Sequence, residues 1–194
     1  MKKFAKDNWD KILSLSVSII SILLSIGTFI NQQNIKNQYN DTSNQVILNS
    51  INLARYDLKL MKLKINMSQN GNQITYQQLA FQIDSLKKNM ETIKQVQVTE
   101  LPRDKTLNYQ VYTQDLNAII YQCNNDLNSL KKLANKSENG EDLLELNPIN
   151  IKTLLSAIDK DLQILSDDEQ VIEENGNLYD RHYKQALKEI ESLN

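Results

Sequence analysis

The side chains that could do chemistry are few and scattered. His182 is the only histidine and Cys123 the only cysteine in the chain. One imidazole and one thiol, far apart in sequence, do not by themselves supply a zinc site. Nor do they make a catalytic cysteine–histidine pair without further signs of one. A lone cysteine excludes an intramolecular disulfide, and Cys123 is expected in the core. The densest acidic run is Asp167-Asp168-Glu169, followed by Glu173-Glu174. It could draw a divalent cation but lacks the glycine and ligand spacing of a calcium loop, so it reads as a solvated helix surface. Di-metal carboxylate bundles use Glu-x-x-His pairs, and the residue three before His182 is Tyr179. No phosphate loop, nucleophile elbow or metalloprotease signature occurs. The sequence therefore predicts a non-enzymatic protein with no catalytic residue, no cofactor and no metal ligand set.

The elements that carry these residues read as helices. Only four Gly and two Pro argue against an all-β fold. On the first helix, one row at three-four spacing runs from Val46 through Asn49, Leu53, Tyr56, Leu60 and Leu63 to Met67. A second row, Ile47, Ile51, Ala54, Leu58, Met61 and Ile65, flanks it. Together they make the broad apolar stripe of a bundle helix. Asn70-Gly71-Asn72 breaks it, and Thr75 with Gln78 forms a capping box. The second helix carries Tyr76, Leu79, Ile83, Leu86, Met90 and Ile93 and should end near Val98. The third begins at Pro102, carries Tyr109, Tyr112, Leu116, Ile119/Ile120, Cys123, Leu127, Leu130 and Ala134, and should reach Asn135.

After a loop at Ser137–Gly140, residues 141–146 are expected to add a short helical turn. Asn147-Pro148 starts the fourth helix. It bears Ile151, Leu155, Ile158, Leu162 and Leu165 and reaches Ile172, with a capped restart conceivable at Ser166-Asp167-Asp168-Glu169. Past Asn175-Gly176-Asn177 a short last helix bears Tyr179, Tyr183, Ala186, Ile190 and Leu193. The tyrosines of these rows are expected to pack in the core or at its edge, with a Tyr-lined ligand groove as the lesser alternative. Short connections make successive helices antiparallel. The predicted fold is all-α: an N-terminal transmembrane helix, then an up-and-down bundle of four long helices and a short fifth.

The transmembrane reading rests on residues 12–30, which contain no charge. As a helix they are roughly 28 Å long, about the thickness of a hydrocarbon core. Lys2, Lys3, Lys6 and Lys11 precede the span, and Lys36 is the only basic residue in the twenty that follow. By the positive-inside rule the N-terminus is cytoplasmic and the rest outside. A cleaved signal peptide is the rival reading, with Ser25-Ile26-Gly27 as a passable site. The apolar run continues through Thr28-Phe29-Ile30 and favours an uncleaved anchor. The expected domains are a basic tail at 1–11, the span at 12–30, a polar stalk at 31–45 that is either helical or hinged, and the bundle at 46–194. Within the span, Ser14, Ser18, Ser21, Ser25 and Thr28 form one stripe. Either it packs against another membrane helix, or each hydroxyl bonds the carbonyl four residues back and faces lipid.

Charge is divided unequally. Residues 31–136 carry net +5 and residues 137–194 net −9, which predicts complementary helices lying side by side. No dense basic run suits nucleic acid. Asn, Lys, Ile and Gln abundance points to an AT-rich genome, that of a low-GC bacterium or its phage. The expected role is binding: to the membrane, to another membrane or cell-surface protein, or to a second copy of the chain. An anchor plus a small exported domain resembles, in layout, phage superinfection-exclusion and immunity proteins, which implies blocking a membrane process. The alternative is an extracytoplasmic four-helix ligand sensor working with a partner.

Overall fold

A computed structural model describes residues 9–96, 101–132, 134–136 and 142–192, with side chains at all of these except 9–20, 35–41, 104, 136 and 189. The chain divides between Thr42 and Ser43 into two compact units.

In the first unit the backbone is helical from Trp9 onward, as the start of helix α1 (Trp9–Gln69). Every described side chain from Ser21 to Asn34 is exposed, among them Ile22, Leu23, Leu24, Ile26, Phe29 and Ile30. Among the described residues no helix is long and apolar enough to cross a membrane. The side chains of residues 12–20, the first half of the expected span, and those of Lys2, Lys3, Lys6 and Lys11 lie outside the described residues. The backbone is helical through the expected stalk at 31–45.

The second unit is a helical bundle. After α1 come β1 (Ile74–Thr75), α2 (Tyr76–Ile93), α3 (Arg103–Lys131), β2 (Asn135–Lys136), β3 (Asp142–Leu144), α4 (Pro148–Glu173) and α5 (Leu178–Ser192). Pairings between helices give their directions. Ser50 of α1 bonds Asn89 of α2, while Lys64 bonds Gln78, so these two run antiparallel. The Tyr109 hydroxyl donates to the Ile93 carbonyl at one end of α2–α3, and Lys131 sits 4.5 Å over the Tyr76 ring at the other. Arg55 pairs with Glu169 and Lys62 with Asp159, so α4 is antiparallel to α1 and closes the ring. Those two ion pairs join a basic helix to an acidic one, as the charge asymmetry predicts. Helix α5 packs on α3 and α4.

The local signals explain the ends. Thr75 and Gln78 form the capping box of α2, and the Asn147 side chain caps α4 with Pro148 in its first turn. Gly71, at φ +82°, ends α1 in the left-handed conformation that costs glycine least.

The core is built from single rows. On α2, Leu79, Ile83, Leu86, Met90 and Ile93 are buried. On α3, Tyr109, Tyr112, Leu116, Ile119, Ile120, Cys123, Leu127 and Leu130 are buried. These are the rows the periodicity marks. Burial of such rows at roughly 25 cal/mol per Å² is what holds the helices together.

Five expectations are corrected. Only the second row of α1 is core: Leu53, Tyr56, Leu63 and Met67 are exposed, because a helix flanked by two neighbours hides one row and not both. On α5, Tyr179, Tyr183 and Ile190 face solvent, while Leu178 is fully buried. Helix α4 runs through Ser166–Glu169 without a restart. The stretch expected as a helical turn holds β3, the centre of a three-stranded antiparallel sheet ordered β1-β3-β2. Ile74 pairs with Leu144, and Asn135 with Leu143. Finally, α2 and α3 end at Ile93 and Lys131, short of Val98 and Asn135, the second because Asn135 is drawn into the sheet.

Candidate functional site

The buried face of α4 reads Ile151, Leu154, Ile158, Asp161, Leu165, Asp168, Ile172. Two aspartates therefore hold core positions. Asp168 is 1% exposed, which corrects the reading of residues 167–169 as solvated surface. An acidic side chain is almost never buried fully unless it has a partner, so what surrounds Asp168 matters.

Helix α3 brings Asp115 and helix α5 brings His182. The turn before α5 fixes its direction. Asn175 takes φ 54°, the Gly176 amide donates to the Val171 carbonyl at 2.7 Å and the Asn175 amide to that of Ile172 at 3.1 Å. This is a Schellman ending. The buried Asn108 of α3 then holds the connection from both sides. Its Nδ2 donates to the Gly176 carbonyl at 2.9 Å, and its Oδ1 accepts from the Leu178 amide at 2.8 Å. With Leu178 seated in the core, His182 one turn later must face α3 and α4.

His182 Nε2 lies 3.4 Å from Asp115 Oδ2 and 3.5 Å from Asp168 Oδ1. One potential ligand atom from each of the three residues lies within 4.8 Å of the others. Asp168 Oδ2 and Asp115 Oδ2 are both buried without a hydrogen-bond partner. Burial, together with the neighbouring Asp115 carboxylate, raises Asp168 to about 6 against the opposing pull of His182 and Arg181. Burial raises Asp115 too, opposed by His182, by Arg181 and by a side-chain hydrogen bond with Asp168. Arg181 itself pairs with Asp167. The imidazole edge is the open side of the cluster, with the His182 side chain 37% exposed.

A second polar group in the interior is neutral. Ser50 Oγ lies 2.9 Å from Asn89 Oδ1 and 2.8 Å from the Tyr112 hydroxyl, and Asn89 Nδ2 donates to the Ser50 carbonyl at 2.8 Å. Because the one serine proton goes to Asn89, Tyr112 donates to Ser50. Cys123 is buried as expected, its Sγ 4.0 Å from Asp161 Oδ2. Burial pushes the thiol up to about 12, helped by Asp161 and Asp126, so it stays protonated and unreactive.

Of the predicted membrane-helix stripe, Ser25 and Thr28 donate to the carbonyls of Ser21 and Leu24, each at 2.8 Å. Ser14 and Ser18 lie outside the residues with described side chains. The His182 cluster has no local sequence signature, because its three side chains come from separate helices. The signal present was register: three-four steps from Ile151 through Leu154 and Ile158 land on Asp161, Leu165 and Asp168. No family model, curated protein or solved structure matches the chain. The arrangement offers a negatively charged, partly enclosed seat for a cation.

Proposed function

We propose that the chain is a membrane-anchored, non-catalytic recognition protein. Residues 12–30 serve as its single-pass anchor with the basic tail in the cytoplasm, and the bundle outside the membrane binds another membrane or cell-surface protein. The uncovered apolar side chains between Ser21 and Ile30 support the anchor, since lipid is the solvent that accepts them without cost.

The observation that carries the binding role is the outer row of α1. Leu53, Tyr56, Leu63 and Met67 are 46–62% exposed on one face of one helix. Scattered exposed apolar residues are ordinary, whereas a contiguous stripe marks an interaction surface. Its spacing fits an apolar row of a partner helix. Lys59, exposed beside it, favours acidic flanks on that partner. Occupying such a surface would block a process that needs the partner free, as superinfection exclusion and immunity do.

The test uses the full chain in its membrane. A photo-crosslinking residue placed at Tyr56 should give a discrete adduct with a membrane protein, while the same residue at Tyr121, exposed on α3, should give little. Equal labelling at both positions, or an adduct of twice the chain's own mass, would overturn the reading. So would a bundle that protease cannot reach in intact protoplasts but digests in lysed ones.

A further inference from the structure

Three helices deliver Asp115, Asp168 and His182 to one point, and together they leave charge and lone pairs unanswered. Among the other buried polar side chains Ser50, Asn89, Tyr112 and Asn108 are all bonded, and the two further orphan oxygens, Asn44 Oδ1 and Gln82 Oε1, belong to neutral amides. Here Asp168, at 1% exposure, keeps Oδ2 without a partner, and Asp115 Oδ2 has only the imidazole at 3.4 Å. One imidazole between two carboxylates can neutralise one of them at most. The other nearby cation, Arg181, is engaged by Asp167. A buried carboxylate oxygen left unpaired is costly, so a site built this way is completed by something that accepts several lone pairs at once.

We propose that Asp115, Asp168 and His182 bind a single divalent transition-metal ion of the zinc class, and that the ion clamps α5 to α3 and α4. The donor set is one nitrogen and carboxylate oxygens, which suits zinc or its first-row neighbours better than an all-oxygen calcium or magnesium site. Around a tetrahedral zinc at ~2.0–2.1 Å from its ligands, ligand atoms stand about 3.3–3.4 Å apart. The His182 contacts of 3.4 and 3.5 Å already have that span. The half-exposed imidazole edge gives the ion a way in and leaves a fourth position open to water. The site stands whether or not the bundle docks a partner.

Because His182 is the only histidine and Cys123 is buried, an imidazole-bound metal can be at no other place in this chain. Full-length protein in detergent, stripped with a chelator, is titrated with Zn2+ while the single imidazole is followed by NMR and the melting temperature is recorded. One equivalent should shift the His182 ring resonances and raise the melting temperature. Asp168→Asn, which keeps the side chain's shape and removes its charge, should weaken Zn2+ binding at least tenfold. Asp159→Asn, on the outer face of α4, should leave it unchanged. His182→Gln, changed at the open edge, serves as a second variant should Asp168→Asn misfold, and it too should lose binding. Ring resonances unmoved by an equivalent of Zn2+, or equal affinity in wild type and in a folded Asp168→Asn or His182→Gln protein, would overturn the proposal in favour of two carboxylates sharing a proton.

Discussion

Around Ser50 the interior holds three polar side chains, and each finds a partner; around Asp168 it holds three more, and two oxygens find none. The first group is neutral and reads as a relay, Tyr112 to Ser50 to Asn89 and back to the Ser50 carbonyl. The second is anionic and opens to solvent at one edge. The two share only α3, yet Asp168 is as deeply buried as Tyr112, so the depth of the innermost group does not separate them. A closed network specifies how α1, α2 and α3 meet, and nothing need be added to it. An open one is poised to take something up.

The sharpest way to test that contrast is to open the closed network. Asn89→Ala removes the acceptor of the Ser50 hydroxyl and a donor to the Ser50 carbonyl, and leaves a hole where a buried amide stood. The expected loss is about 3 kcal/mol, the sum of an unmet hydroxyl and a small cavity. Urea unfolding of the full chain in detergent should show the midpoint fall by that equivalent. A loss under about 1 kcal/mol would mean that water replaces the amide and that the relay is not closed to solvent.

Asp161 offers an intermediate case, since it is as buried as Asp168 but has the Cys123 thiol for company instead of an imidazole. Burial, then repulsion from Asp126, raises it to about 7. The folded chain thus holds this proton more tightly than the unfolded one does. The resulting stability is complete below the ordinary carboxylate range, near pH 4, and is lost as pH rises through 7. Asp161→Asn should stabilise the bundle by about 2 kcal/mol at pH 8 and destabilise it by about as much at pH 4, where the carboxyl is protonated and only the unmet amide counts. The full value of the shift is about twice that, but the amide still needs a partner. Unfolding midpoints of the two proteins that ran parallel across this range would show the carboxyl ionised at no cost.

These aspartates also show where reading the chain as a sequence succeeds and where it stops. On α2 and α3 the three-four rows are apolar throughout and bury as marked except at their ends, Tyr76 and Ala134, which are half-buried, and the Thr75–Gln78 and Asn147–Pro148 signals are local enough to act without help. On α4 the same register contains Asp161 and Asp168, and chemistry alone assigns them to water; that α3 and α5 supply their surroundings is a tertiary fact. On α1 two apolar rows compete, and only the number of neighbouring helices decides which is hidden. On α5 the choice falls to Asn108, which pins Leu178 inward from 70 residues away. The small sheet gathers segments of two or three residues from separate connections, too short for periodicity to show.

The smallest effect belongs to the charges outside. Lys62 and Asp159 join α1 to α4, with side chains 34% and 53% exposed. An exposed pair of this kind contributes at most about 0.5–1 kcal/mol, because water screens it and two long side chains must be held still. Lys62→Ala should therefore shift the urea midpoint by no more than about 0.5 kcal/mol, and less in 0.5 M salt (roughly that concentration suffices to shorten the screening length). Asn89→Ala should keep its full cost in the same salt, since its groups are buried and neutral. If Lys62→Ala instead cost as much as Asn89→Ala, the attraction between a basic α1 and an acidic α4 would be setting the register of the bundle, and the relay around Ser50 would merely follow it.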